Sequence, residues 1–272
     1  RVENSMHNFY ASSSFRLAEY KKPEYQVEVQ TDRDAYLNGD TINVTAQASY
    51  YFGGPVVNAQ VHWSILSRAH WFHYECPRGE RCPYYSWRDY EWGSDEEEET
   101  YGSYGRLIAE GNATTDNQGR VTFQVPADIG EEIVSQRFTL EVSVTDITGQ
   151  SVSNRTEAII HKGEFYIGLA PKGRILKAGE EKHVEVLTVD WDSAAVSEQP
   201  ITVIFMKHEW YSVRQQAENG RYYWTWTVED IPIYTTTVTT REDGKAIAAF
   251  TPEESGSYRV RAMGEDTQSN QI

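Results

Sequence analysis

Four side chains that can bind a metal ion lie close together in the first half of the chain: His70, His73, Cys76 and Cys82. Two imidazoles and two thiolates have the number and softness that suit tetrahedral zinc. Their spacing matches no standard zinc finger, and these are the only two cysteines in the sequence. The Cys-x5-Cys spacing therefore favours a small disulfide loop between Cys76 and Cys82, formed in an oxidising compartment. Zinc binding and a reduced pair remain the alternatives.

A second candidate for metal binding is the consecutive acidic run Asp95–Glu99. Carboxylates bind calcium, but a consecutive run repels itself and lacks the spaced ligands of a cation loop. We therefore predict that this run is a solvated tip. The sequence predicts no cofactor and no bound metal.

Catalytic patterns are missing from the sequence. Nucleophilic catalysis needs a Ser or Cys beside a His base and a carboxylate, yet no Gly-x-Ser-x-Gly motif occurs and the seven histidines are scattered. The 41 acidic residues could supply a glycosidase-like pair, but they occur in runs typical of surfaces. We predict that the chain is not an enzyme and has no catalytic residues.

Aromatic residues concentrate in the segment 67–105, where they could stack on a sugar or dock a neighbouring protein. The favoured alternative is an extended β-hairpin whose rings pack on its own domain or on the next. A second aromatic stretch, 222–226, predicts a strand with one face packed on the core, rather than a ligand patch. The candidate interaction surface in the first segment comprises Trp71, Tyr74, Tyr84, Tyr85, Trp87, Tyr90 and Trp92.

Three Asn-x-Thr sequons, at Asn43, Asn112 and Asn154, are candidate glycosylation sites if the host is eukaryotic. The formal net charge of -16 argues against a nucleic-acid partner, which needs clustered Lys and Arg. No run of about 18 apolar residues occurs, so direct membrane insertion is not expected. Because Arg1 opens no signal-peptide pattern, we expect any export signal to lie outside this sequence.

The elements that position these residues follow from an internal repeat. Pro23-Glu-Tyr25 aligns with Gly163-Glu-Phe165 at an offset of 140, which then holds without a gap to the apolar run 61–66. The offset falls to about 125 at Asp243-Gly244 and to 120 at the end, because the first copy carries the longer insertion, 67–105. The sequence therefore contains two copies of one domain.

Each copy contains short strands of alternating polarity, separated by Gly, Asn, Asp and Pro turns. Asn38-Gly39 supplies the positive φ of a tight hairpin turn, and Asp243-Gly244 supplies it at a second turn. The sequence thus predicts an all-β fold of tandem antiparallel β-sandwiches. We expect a first sandwich at 22–162 and a second at 163–272, with 1–21 as the closing strand of a preceding unit. Since no Gly/Ser-rich or Pro-rich linker separates the copies, the join should be stiff.

The motifs Phe15–Tyr25, Tyr36-Leu-Asn-Gly-Asp40 and Tyr50–Val61 resemble, in this order, the macroglobulin domains of bacterial-type alpha-2-macroglobulins. In the second copy, Phe165–Leu169 and Gly256–Val260 resemble the following domain of that family. The resemblance covers nearly the whole chain. It implies fibronectin type III/immunoglobulin-like sandwiches.

That family consists of broad-spectrum protease inhibitors that trap a protease after it cuts a bait region, and many members carry a Cys-Gly-Glu-Gln thioester. This sequence contains no Cys-Gly-Glu-Gln, so the resemblance implies a scaffold fragment without bait region or thioester. The implied partners are the neighbouring macroglobulin domains of the same chain and, through the full-length protein, target proteases. The implied location is extracellular or periplasmic, with any membrane anchor outside the fragment. The alternative function is a binding module of a surface adhesin or carbohydrate-binding protein that uses the aromatic insertion.

Overall fold

The computed structural model describes residues 23–87, 105–173, 177–216 and 221–272. Within these ranges the chain forms β-strands and no helix, so no helix there is long and apolar enough to cross a membrane. The predicted closing strand within 1–21 lies outside the described residues. The strands are β1 (Tyr25–Thr31), β2 (Ala35–Leu37), β3 (Thr41–Tyr50), β4 (Gln60–Ala69), β5 (Arg106–Thr114), β6 (Arg120–Pro126), β7 (Gln136–Thr145), β8 (Ser151–His161), β9 (Tyr166–Pro171), β10 (Lys182–Val189), β11 (Pro200–Gln216), β12 (Tyr222–Thr239), β13 (Lys245–Phe250) and β14 (Ser257–Met263).

The first eight strands form a sandwich of two sheets, ordered β1-β3-β6 and β2-β8-β7-β4-β5. Neighbouring strands are antiparallel except for β2 and β8, which pair in parallel. Alternating residues of both sheets point inward, because successive side chains of a strand face opposite sides. The largest fully buried side chains of this core are Tyr25, Tyr36, Phe138, Ile42, Ile65, Leu140 and Ile160.

The last six strands form a second sandwich with sheets β13-β10-β9 and β12-β11-β14. The predicted all-β fold of tandem sandwiches is therefore confirmed. Each sandwich has a core of its own, as expected when each copy of the repeat buries one face of each sheet. The second core is built around Phe165, Val184, Val186, Ile201, Val203 and Phe205.

The two sandwiches repeat one another in detail. Gly119 and Gly244, which the repeat aligns, both have positive φ, and their carbonyls accept from the amides of Ala48 and Thr188 at 2.8 and 2.9 Å. An added Cβ would lie 2.4 Å from a backbone oxygen at Gly119 and 2.5 Å from one at Gly244. The chain therefore approaches so closely at both positions that only glycine fits without movement.

The turn at Gly39 corrects one sequence expectation. Its φ of +97° is positive as predicted, and the amide of Asp40 donates to the carbonyl of Leu37 at 3.0 Å to close the turn. The flanking strands do not form a hairpin, however, because β2 pairs with β8 while β3 pairs with β1 and β6. The turn carries the chain from one sheet of the sandwich to the other.

Candidate functional site

The aromatic insertion is placed by the strand end from which it departs. Ala69, at the end of β4, pairs with Gln136, which in turn pairs with Ile160 near the end of β8. The insertion therefore leaves the first sandwich at the same end of the sheet as the chain that passes to the second. Its described part, residues 70–87, lies against β9 and β10.

An apolar cluster forms where the insertion meets the second sandwich. Tyr85 is only 4% exposed and packs with Ala170, Leu187 and Val189. The ring of Phe72 stacks on that of Tyr166, with centroids 4.0 Å apart and planes 13° apart. Such ring pairs stabilise by about 0.5–1.5 kcal/mol beyond the area they bury. The partly buried members at the rim are Phe72, Tyr74, Cys82, Trp87 and Tyr166.

The indole ring of Trp87, a member of this cluster, packs over Gly168. A Cβ added at Gly168 of β9 would lie 2.7 Å from Cη2 of Trp87. Since Gly168 has no positive φ to explain it, the absence of a side chain there serves the approach of the indole. Glycine at this position is thus part of the interface.

Polar contacts fix the position of the insertion on the edge of the sheet. The amide of Ser86 donates to the carbonyl of Leu169 at 2.9 Å, and the amide of Leu169 donates back at 3.0 Å. The insertion thereby adds a short antiparallel rung to β9, as extended segments do at open sheet edges. The hydroxyl of Tyr85 donates to the carboxylate of Glu185. Burial, followed by this hydrogen bond, raises the pKa of Tyr85, so the phenol remains a donor.

The two cysteines form a disulfide within the described part of the insertion. The Sγ atoms of Cys76 and Cys82 are 2.10 Å apart, in a disulfide that closes a loop across Pro77 and Gly79. The predicted extended hairpin is wrong for residues 70–87, which contain no strand pairing other than that of Ser86. Prolines cannot donate to a ladder, and this stretch contains two of them, Pro77 in the disulfide loop and Pro83 directly after it.

The metal-binding alternatives can be compared with this geometry. In the described part of the chain, no three His, Cys, Asp or Glu side chains come together as a metal site. His70 turns away from the cysteines and meets the ring of His161 edge-on, with centroids 6.0 Å apart. The acidic run 95–99 lies outside the described residues.

A second contact between the sandwiches surrounds His161, the last residue of β8. Its ring stacks on Trp191 with centroids 4.1 Å apart, and its Nδ1 lies 2.7 Å from the hydroxyl of Tyr166. Trp191 in turn donates from Nε1 to the carbonyl of Gly163 at 2.9 Å. Burial, with a smaller effect from His70, lowers the pKa of His161 to about 3. The imidazole is therefore neutral across the physiological range.

The sequence-predicted aromatic residues divide into two groups. Tyr85 and Trp87 contact the second sandwich and Tyr74 packs on their rings, whereas Trp71 and Tyr84 are exposed, the latter at 88%. Tyr90 and Trp92 lie outside the described residues. The residues of the second contact, His161, Tyr166 and Trp191, were not singled out from the sequence. The signal for Trp191 was its alignment with Tyr51 in the repeat, which indicated an aromatic position but not its partner.

The three sequons lie on strands of the first sandwich. The amide nitrogen of Asn43 donates to Asp32 at 3.2 Å, and that of Asn154 donates to the carbonyl of Val27 at 2.7 Å. Asn112 is exposed, and its Oδ1 lies 3.2 Å from Nδ1 of His62. Glycosylation of Asn43 or Asn154 would therefore attach the sugar to a nitrogen that already donates one hydrogen bond.

Comparison with known proteins supports the resemblance read from the sequence. Residues 168–271 match the family described as bacterial macroglobulin domain 6. An alpha-2-macroglobulin homolog of Nostoc sp. is 25% identical over 263 residues, which cover 95% of this chain and 13% of the relative. The alpha-2-macroglobulin of Thermotoga maritima is 26% identical over 246 residues, covering 90% of this chain and 12% of the relative. This chain thus spans about an eighth of the length of these relatives.

Solved structures show the same fold. The native conformation of Escherichia coli alpha-2-macroglobulin matches with a TM-score of 0.56 at 15% identity, covering 98% of this chain and 17% of that one. The same protein activated by porcine elastase matches with a TM-score of 0.57 at 14% identity, covering 93% and 21%. The predicted resemblance to macroglobulin domains of the alpha-2-macroglobulin family is confirmed.

Proposed function

We propose that this chain, whose two sandwiches are macroglobulin domains of the alpha-2-macroglobulin type, is a rigid scaffold segment of a broad-spectrum protease inhibitor. Its role is mechanical, and it performs no catalysis. The observation that carries the proposal is the packed junction between the sandwiches, in which the aromatic insertion and His161 of the first sandwich contact the second. Proteases are partners of the full-length inhibitor, and neighbouring macroglobulin domains are partners of this segment.

Two contacts, which share Tyr166, make the junction resistant to bending. One is the stack of His161 on Trp191 at the chain crossing, and the other is the cluster around Tyr85 on β9 and β10. A hinge at the crossing alone would have to break the second contact. Packed apolar contacts between domains restrict their relative motion, because such interfaces deform in steps rather than continuously.

A rigid segment suits an inhibitor that changes shape after a single cut. The cut in a bait region releases energy locally, and distant domains can respond only if the intervening domains transmit the displacement. A loosely linked pair would absorb it instead. The proposed role of this segment is to keep two neighbouring domains of the inhibitor in a fixed relative orientation before and after the bait region is cut.

The proposed location is outside the cytoplasm, in the periplasm or beyond. The disulfide between Cys76 and Cys82 supports it, because such small-loop disulfides form and persist in oxidising compartments. The alternative of a carbohydrate-binding or adhesive module loses support from the same insertion. Tyr85 is buried against the second sandwich, Trp87 packs over Gly168, and Tyr74 packs on both of these rings, so these side chains serve the junction.

Limited proteolysis of the full-length parent with several unrelated proteases, followed by small-angle X-ray scattering, tests the proposal. We expect every protease to cut one common segment outside residues 23–272, and the particle to contract afterwards. The junction should stay uncut in both states. Scattered cuts without contraction would contradict the inhibitor function and favour the binding module.

A further inference from the structure

The second sandwich carries a long two-stranded projection, which we call the aromatic arm. It consists of residues 207–216 of β11 and 222–231 of β12, paired in one antiparallel register. The third strand of this sheet, β14, reaches only as far as His208. Beyond that point the described arm has no further strand beside it, and an isolated pair of strands is marginally stable in water.

The two faces of the aromatic arm differ in chemistry. Directly paired residues share a face, since 210 pairs with 228, 212 with 226 and 214 with 224. One face therefore presents Trp210, Trp224 and Trp226, which are 46%, 63% and 72% exposed. At its far end the guanidinium of Arg214 lies 4.0 Å over the ring of Tyr222.

The opposite face of the aromatic arm carries the charged residues Lys207, Glu209 and Glu229 beside the exposed Tyr211 and Val213. Lys207 bridges Glu209 and Glu254 at 2.9 and 2.8 Å, and the hydroxyl of Tyr211 donates to Glu209. The strand predicted at 222–226 is present as part of β12, but its predicted packing on the core is wrong, because Tyr222, Trp224 and Trp226 are exposed. An amphipathic projection of this kind has one face suited to water and one suited to a partner.

The aromatic arm occupies the same place in its sandwich as the aromatic insertion does in the first. Both depart after an equivalent bulge, between Ile65 and Leu66 in one copy and between Phe205 and Met206 in the other. These positions differ by the offset of 140 that relates the copies. The aromatic insertion packs on the sandwich that follows it. This contact is the precedent for a docking role of the aromatic arm.

The path of the chain points the aromatic arm towards the next domain. In the first sandwich β8 pairs along β7 and leaves beside the base of the insertion. In the second sandwich the backbones of Ile272 and Gly264 exchange two hydrogen bonds, of 2.9 and 3.2 Å. In the first sandwich, the equivalent position is where β8 begins to pair with β7. A continuation along β14 in the same register leaves the sandwich beside the base of the arm.

We propose that the face bearing Trp210, Trp224 and Trp226 docks on the domain that follows in the full-length chain, as the aromatic insertion docks on the second sandwich. This inference rests on the proposed function, in which the chain is part of a longer array. The partner is a sandwich surface with an apolar sheet edge and a carboxylate for Arg214, as β9, β10 and Glu185 provide to the insertion.

Site-directed photo-cross-linking in the full-length parent tests this docking. Ser212 pairs with Trp226 and lies on the tryptophan face, whereas the neighbouring Val213 is the matched position on the opposite face. A photoreactive residue such as benzoylphenylalanine replaces Ser212 in one variant and Val213 in the other. We expect the first to cross-link within the same chain to sequence beyond residue 272, and the second to give at least about tenfold less of this product.

Each other outcome overturns the docking. Cross-links between two molecules from position 212 identify a second copy as the occupant. Equal yields from 212 and 213, or none from either, mean that the tryptophan face has no partner. Protease-induced contraction of the same variants reports on the inhibitor function separately, so contraction without the cross-link overturns the docking alone.

Discussion

His161 is the side chain whose ionisation bears on the contact between the two sandwiches. It is buried against Trp191 and Tyr166, and the charged groups near it are the partly buried Lys162 and the His70–Arg137 pair. Burial, then the proximity of His70, holds its folded pKa near 3, below the unfolded value of about 6.5. The unfolded chain therefore binds the proton more tightly.

We predict that acidification weakens the protein through His161. The neutral ring contributes its full stability above about pH 6.5, and this contribution is lost as the pH falls towards 3, by at most about 1.4 kcal/mol per pH unit. Urea unfolding of the wild type and of His161→Phe at pH 7.5 and 4.5 measures it. Since other groups titrate in both proteins, the difference between their losses isolates His161. Equal losses would refute the assignment.

At the scale of elements, the disulfide acts on the aromatic insertion rather than on either sandwich. Neither cysteine belongs to the two large cores, and the closed loop is short. Closing a loop of this size stabilises by about 2 kcal/mol in the chain-entropy model. We propose that this stabilisation pre-orders the insertion for contact with β9 and β10.

Replacing both cysteines, as Cys76→Ser with Cys82→Ser, should therefore loosen the insertion while both cores stay folded. Hydrogen exchange should accelerate at Ser86 and Leu169, whose amides form the rung between the sandwiches, and remain unchanged at Leu140. Reduction of the wild type by dithiothreitol should give the same pattern. Acceleration throughout the first sandwich would instead place the disulfide in the stability of that core.

The secondary-structure elements also show which features could be predicted from the sequence. The strands, the repeat and the glycine turns followed from local alternation and from positive-φ residues, which act over a few positions. Gly39 correctly indicated a turn. Whether β2 and β3 pair across it depends on β8, the parallel partner of β2, which follows more than a hundred residues later in the sequence. Alternation at Trp224 and Trp226 indicated a strand, yet whether their face is covered depends on how far β11 and β12 extend beyond the opposing sheet, β13-β10-β9.

The same limit applied to the candidate site. Aromatic composition identified the insertion, and its packing on the next domain was one of the alternatives considered. The residues that receive it include an ordinary glycine, Gly168, and small and aliphatic residues of β9 and β10, beside Tyr166 and Glu185. These positions carry no local signal, because their role arises only when another segment of the chain meets them.

At the scale of the whole molecule, the two sandwiches should unfold together. The aromatic cluster and the His161 stack link two cores that are otherwise separate. A ring displaced from this interface loses dispersion contacts on both sides, since packed surfaces tolerate little mismatch. We therefore predict one calorimetric transition for the wild-type pair, with equal calorimetric and van't Hoff enthalpies.

Gly168→Ala tests this coupling with the smallest available change. The new Cβ would stand 2.7 Å from Cη2 of Trp87 and would push the indole out of the junction, without backbone strain. At Gly256 an added Cβ meets ordinary contacts of 3.6 Å or more, so Gly256→Ala is the matched control. We expect Gly168→Ala to cost about 1–3 kcal/mol and to split the transition, while the control keeps it single. Two transitions already in the wild type would contradict the coupling, because the sandwiches would then unfold independently despite the contacts that join them.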